Sequence, residues 1–169
     1  MQLICPFQPK CQTKIIKFES DKPTHKLITK ETTIPFLSPS NSNSNSNSSQ
    51  LSNLSFHKAG MWDFDNIGVS RPIPPSSTSA STSKEPVEEI LELQDEQTTK
   101  IQKFKVVRYL TCGECDRGAL GFVGVSVDDD DVGAGEEGTK QKVDEMAYFV
   151  CIDSCFVDLG GKKVEDVVN

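Results

Sequence analysis

Cys112-Gly113-Glu114-Cys115 sets two thiols two residues apart. One tight turn can bring both sulfurs to a single ion, and Gly113 relaxes the backbone inside it. Zinc takes four such ligands in a tetrahedron, at about 2.3 Å from each sulfur. Redox motifs share the C-x-x-C spacing, so half a site needs its other half. Cys5 and Cys11, in "CPFQPKC", are the best partners. Five residues separate them, and Pro6 and Pro9 restrict the loop that must fold round an ion. The expected set is Cys5, Cys11, Cys112 and Cys115, holding one structural Zn²⁺. The two pairs lie about 100 residues apart, and closing such a loop costs roughly 4 kcal/mol. Structural zinc contributes on the order of 10–16 kcal/mol, so the ion outweighs the loop. It would staple the start of the chain to its middle. The competing reading is four reduced, buried thiols without a metal.

Other chemistry-bearing residues are fewer. Cys151 and Cys155 are four apart in an apolar run. In an extended strand that spacing covers about 13 Å, too far for one ion or one disulfide. Both would point with Phe149 as small buried apolar groups; a nucleophilic Cys151 is the sharper alternative. His25 lies among Lys and Thr, and His57 beside a polar tract, so both are expected at the surface. No Ser/His/Asp set, Walker loop or dinucleotide fingerprint occurs. Gly118, Gly121 and Gly124 fit strand spacing, not a phosphate cradle. "GMWDFDNIGVS" holds the one tryptophan. As a strand it would put Trp62 and Phe64 on one face and Asp63 and Asp65 on the other, with Asn66-Ile67-Gly68 as a turn or bulge. It reads either as a core-facing strand or as an aromatic anchor ringed by acids, which suits a protein interface.

The elements that must position these residues are short. Three polar stretches divide the 169 residues: a Ser/Asn-rich loop at 38–55, a Pro/Ser-rich and acidic insert at 72–100, and an acidic loop at 128–142. Between them "QTKIIKF", "HKLITKETTIPFL", "KFKVVRYL", "ALGFVGVSV" and "EMAYFVCIDSCFVDL" read as strands. In "KFKVVRYL", Phe104, Val106, Arg108 and Leu110 would share one face. "PVEEILELQDEQ" reads as a short helix, with Pro86 in its first turn and Val87, Ile90 and Leu91 on one side. The expected fold is one mainly β domain over residues 1–169, its antiparallel sheets stapled by metal. The net charge of −7 leaves no basic face for nucleic acid or an anionic membrane. "MQLICPFQPK" lacks the apolar core of a signal peptide, and no run is long enough to cross a bilayer. The expectation is a cytoplasmic, monomeric protein with reduced thiols.

"WDFDNIGVS" followed downstream by "YLTCGECDRGALGF", with "CPFQPKCQTKII" before both, resembles the Rab-interacting factors of the Mss/Dss type. The resemblance implies bent antiparallel sheets, a β-tent, held by one zinc. It implies binding of exocytic Rab GTPases in vesicular transport, preference for the nucleotide-free form, and promotion of GDP release. Such proteins are exchange factors or holdase chaperones, not enzymes acting on a small substrate. It also implies Cys5, Cys11, Cys112 and Cys115 as zinc ligands. Trp62, Phe64, Asp65, Asn66, Ile67 and Gly68 fall on the Rab-contacting segment, and Glu114 on an acidic position that is normally Asp. Two departures are the C-x5-C spacing of the first pair and the residues between Val69 and Lys103, which have no counterpart in compact members. A rival likeness is to methionine sulfoxide reductases of the B type, which share a related tent fold; "YFVCIDS" would supply Cys151 as nucleophile. The chain lacks the histidine-rich segment of those enzymes.

Overall fold

A computed structural model of the protein describes residues 1–19, 24–29, 32, 34, 36, 54–73, 88–127 and 146–159. The expected polar loops at 38–53 and 128–142 lie outside the described residues, as does 74–87 of the expected insert. Ser55, placed in the first loop by composition, instead opens a strand.

Ten strands and two 3-10 turns make up the described elements, with no α-helix among them. The spine is a hairpin of β7 (Ile101–Cys112) and β8 (Gly118–Val127). From β8 the ladder runs through β9 (Met146–Cys151), β4 (Ser55–Ala59), β3 (Thr24–Leu27) and β6 (Ile90–Asp95), and returns to β7. Six strands thus close into a barrel, every neighbouring pair antiparallel. Closure satisfies the backbone of each wall strand and leaves no open edge. β5 (Ile67–Val69) adds to β7 beyond the end of β6, at Leu110–Cys112. A second layer is a three-stranded sheet in the order β10 (Phe156–Asp158), β1 (Gln2–Ile4), β2 (Lys14–Lys17). Among the described residues no helix is long and apolar enough to cross a membrane.

The barrel core is aromatic. Phe149 stacks on Phe122 at 5.0 Å and meets Phe104 edge-on at 4.7 Å, and Phe56 meets Phe122 at 5.5 Å. Leu27, Leu91 and Leu93 complete it. The second core lies between the barrel wall and the small sheet. Leu3, Ile15, Ile16 and Phe18 fill it from one side, Leu120 and Val150 from the other, around buried thiols. β8 and β9 are therefore buried on both faces, which explains their nearly unbroken apolar runs. They approach so closely that a Cβ on Gly121 would sit 2.0 Å from the Phe149 carbonyl oxygen.

Four sequence expectations need correction. "PVEEILELQDEQ" contributes strand β6, not a helix. Leu91 and Leu93 point inward with a period of two, and the place between β3 and β7 requires a strand to close the ring. This part of the expected insert is thus barrel wall. In β7 the pairing skips Val107, a bulge that reverses the alternation. Phe104 and Val106 enter the barrel core and Tyr109 packs against it, whereas Cys112 enters the second core. Arg108 does not join Phe104 inside; its guanidinium donates to the Ser70 carbonyl at 3.0 Å. Both histidines are buried, not exposed. His57 stacks on Phe18 at 3.9 Å between the two layers, and His25 lies edge-on to Phe149. Finally, a 3-10 turn at Ile152–Ser154 separates the last two cysteines. Cys151 stays with Phe149 in the barrel core and Cys155 joins the second core.

Candidate metal centre and the tryptophan turn

The β7–β8 turn builds one half of the centre. Cys112 ends β7, and its N–H donates to the Arg117 carbonyl at 2.9 Å. The Asp116 N–H donates back to the Cys112 carbonyl at 2.9 Å, with Asp116 itself in the left-handed region at φ 54°. This closes the turn and brings the Cys115 sulfur beside that of Cys112. The N-terminal loop builds the other half. The Cys5 N–H donates to the Thr13 carbonyl at 2.9 Å and the Cys11 N–H to the Phe7 carbonyl at 3.0 Å. The longer C-x5-C spacing is thus folded back by backbone hydrogen bonds. Arg117 clamps the two halves together, its guanidinium carbon 4.7 Å from the centre of the Phe7 ring.

The four Sγ atoms of Cys5, Cys11, Cys112 and Cys115 all lie within 4.8 Å of one another. Cys5 faces Cys115 at 3.7 Å, and Cys11 faces Cys112 at 3.7 Å. Each of these pairs takes one thiol from each half. A tetrahedron of sulfurs about 2.3 Å from a central ion has edges of about 3.8 Å, so the spacing matches four thiolates around one metal. A disulfide would need about 2.05 Å, and all four are free cysteines. Cys5, Cys11 and Cys112 are buried and Cys115 is partly so. Burial pushes the Cys5 and Cys115 thiols up. Cys11 is held down at about 7, first by the Thr13 hydroxyl, 3.3 Å from its sulfur, and then by the Thr13 backbone. The group can hold a metal ion; Cys151 and Cys155 are not part of it.

The tryptophan segment runs beside this centre. Gly60 and Asp63 cap a 3-10 turn at Met61–Asp63: the Gly60 N–H donates to Asp63 Oδ2 at 2.7 Å, and the Asp63 N–H to the Gly60 carbonyl at 3.1 Å. This turn breaks the alternation expected for a strand, so Trp62 and Phe64 do not share a face. Trp62 is 91% exposed, with Met61 half exposed beside it. Phe64 bridges Ile16 of β2 and packs against the second core. The backbone beyond it is tied to β2, just past the N-terminal cysteines, and to the Cys112–Cys115 turn. The Asp65 N–H donates to the Ile15 carbonyl at 2.9 Å, and the Gly113 N–H donates to the Asn66 carbonyl at 3.4 Å. A Cβ on Gly113 would press on the Asn66 and Ile67 backbone at 3.4 Å. Ile67 and Gly68 open β5 instead of forming a turn, with Ile67 opposite Cys112. Asp65, Asn66 and Glu114 are exposed on the same corner. The structure therefore brings the expected segment, Glu114 and the four cysteines together.

Several contributors were not expected from the sequence. Arg117 and Phe7 had no signal beyond their nearness to cysteines. The Ile15 carbonyl anchor follows from two adjacent buried isoleucines, which mark a register shift in β2 against β1. The rival nucleophile is not supported: Cys151 is fully buried, and burial pushes its thiol up to about 11, the reverse of what an attacking thiolate needs.

A family model described as "Mss4 protein" matches residues 2–134. The match ends before β9 and β10, although β9 is a barrel wall and β10 an outer strand of the small sheet. "Protein DSS4" of Saccharomyces cerevisiae is 36% identical over 63 residues, which cover 37% of this chain and 41% of that protein. No solved structure matches. The family match takes in the whole tryptophan segment and all four clustered cysteines, and the chain belongs to the Mss4 family.

Proposed function

We infer that this protein binds Rab-type small GTPases in the cytoplasm, prefers their nucleotide-free form, and promotes GDP release in vesicular, exocytic transport. The observation that carries this reading is Trp62: 91% exposed, on a turn whose following backbone is hydrogen-bonded to β2 on one side and to the Cys112–Cys115 turn on the other. A large aromatic on a backbone fixed by hydrogen bonds is a ready anchor, because only its two side-chain torsions have to be ordered on binding. Family membership supports this partner class.

The donor set fits zinc. Four soft thiolates at tetrahedral spacing, largely shielded from water, make a closed structural site. When bound, zinc ties the N-terminal loop to the β7–β8 turn and takes no part in the exchange. This chain's residues do the rest. A protein can expel nucleotide only by binding the empty GTPase more tightly than the loaded one. Trp62 packs on an apolar switch surface of the GTPase, with Met61 beside it. Phe64, half-buried, supports the turn from below. Asp65 and Glu114 place negative charge towards the region that holds Mg²⁺ and phosphate, competing for its cations. Asn66, Ile67 and Gly68 set the distance between the turn and Glu114.

Release of a fluorescent GDP analogue from Rab GTPases tests this. Trp62→Ala and Glu114→Ala, with metal content and fold retained, are expected to slow release severalfold. Unchanged rates together with unchanged binding to the empty GTPase would sink the proposal. Tight binding to the empty form without faster release would assign a holdase role instead.

A further inference from the structure

The geometry points to a reversible oxidation site: Cys5–Cys115 and Cys11–Cys112 are poised to form two disulfides that replace the metal while keeping the staple. The inference rests on the metal-site reading above and concerns what the same four sulfurs do when the metal leaves. Each facing pair is separated by 3.7 Å. Side-chain rotation can bring such a pair to the roughly 2.05 Å of a disulfide. Both pairs join the N-terminal loop to the β7–β8 turn, so either bond preserves the link that the ion provides.

The alternative pairing, Cys112 with Cys115, lies within one turn whose backbone is already closed by the Cys112–Arg117 and Asp116–Cys112 hydrogen bonds. Joining those sulfurs leaves the N-terminal loop unattached. Cross-pairing keeps the two halves joined.

Access sets the order. Cys115 is the one ligand of the four that is not fully buried. In the metal-loaded chain the ligating sulfurs are thiolates, and that of Cys115 attacks hydrogen peroxide, breaking the O–O bond to give a sulfenic acid and hydroxide. The Cys5 thiolate then attacks the Cys115 sulfur, forming the disulfide and expelling a second hydroxide. Two protons convert these hydroxides to water, so two thiols and one peroxide give one disulfide and two waters. With two ligands consumed the ion is no longer held. Cys11 and Cys112 follow with a second peroxide. A dithiol reductant reverses both steps.

The test uses the full chain, loaded with zinc and treated with hydrogen peroxide. A chromophoric chelator reads released metal, and non-reducing digestion followed by mass spectrometry reads the bonds. Trypsin cuts after Lys10 and so separates Cys5 from Cys11; a Glu-specific protease cuts after Glu114 and so separates Cys112 from Cys115. The expected result is one ion released per chain, with Cys5–Cys115 and Cys11–Cys112 peptides as the main products, and recovery of metal binding after dithiothreitol and zinc. A main product joining Cys112 to Cys115 overturns the proposal, as does over-oxidation without disulfides or resistance to peroxide. Chain purified without metal is mapped in the same way: cross-linked pairs there uphold the pairing even where the zinc reading fails. A Cys151→Ala/Cys155→Ala variant giving the same map shows that the buried pair is not the source.

Discussion

The barrel and the stapled corner solve the same problem by different means. The barrel joins six strands in a ring and fills it with phenylalanine, so its stability comes from buried apolar surface and a closed ladder. The outer sheet has strands of three and four residues, and β10 is exposed along its length. So small a sheet cannot hold itself; Arg117 on Phe7 and a shared layer of Leu and Ile bind it to the wall, and four clustered sulfurs that can hold a metal ion lie at the same join. The difference teaches where function can be built. The exposed tryptophan sits at the join, where backbone from the weaker sheet and from the barrel hairpin grip the same few residues.

The strongest way to break this comparison is to remove the staple. Cys112→Ser is expected to abolish stoichiometric metal binding and to strip amide protection from β1, β2, β10 and residues 60–67. β8 and β9 should keep theirs, apart from their ends. Hydrogen exchange read by mass spectrometry makes the measurement. Simultaneous loss of protection throughout would mean that the barrel depends on the metal as well. Disrupting the barrel instead should act on everything at once. Phe149→Ala removes the ring that meets Phe104, Phe122 and His25, and is expected to cost about 3–5 kcal/mol in denaturant unfolding. Metal content should fall only with the folded fraction.

pH separates the regions more finely. Burial holds His25 below the ordinary histidine value, although Asp95, 3.7 Å from Nε2, pulls the other way. The unfolded chain then takes up a proton first as pH falls below about 6.5, so barrel stability declines on that side. Cys151 behaves oppositely. Its thiol rises from 9.0 to about 11, so its contribution is whole below pH 9 and is lost as pH climbs towards 11, by up to about 2.7 kcal/mol. Cys151→Ala should lessen the alkaline loss in pH-dependent thermal melts by that share only, because burial raises the Cys155 thiol as well. Acid has a separate effect at the corner, because protons compete with metal for the thiolates. Metal release on acidification should therefore be detectable by chelator even in a His25→Gln variant.

How much of this the sequence carried depends on how local each signal was. The four cysteines were readable, because ligand chemistry leaves few choices once Cys151 and Cys155 are set aside by spacing. The strands of β7, β8 and β9 announced themselves through runs of Val, Phe and Ile. β6 did not: in "PVEEILELQ" the glutamates and Pro86 favour a helix start, and only the empty place between β3 and β7 decides for a strand. His25 and His57 look like surface residues beside Lys and Thr, yet register sets them against Asp95 and Phe18. The Trp62 turn was hidden because Asp63 acts as a local cap for Gly60, which alternation cannot reveal. Long-range pairing, not composition, fixed each of these.

The smallest expected effect on stability tests the division of labour most sharply. Trp62 touches solvent over nearly all its surface, so Trp62→Ala should change unfolding free energy by no more than about 0.5 kcal/mol. Phe64, two residues on, packs against the second core near Tyr148 and bridges Ile16. Phe64→Ala should cost about 1–3 kcal/mol, less than a fully buried ring because Phe64 is only half covered. If Trp62 is an anchor and Phe64 its support, GTPase binding falls in both variants but stability only in the second. Calorimetric titration against an empty Rab GTPase, beside denaturant curves for each variant, reads both quantities. A Trp62→Ala protein that is clearly less stable would place that ring in packing, and the argument from its exposure would fail with it.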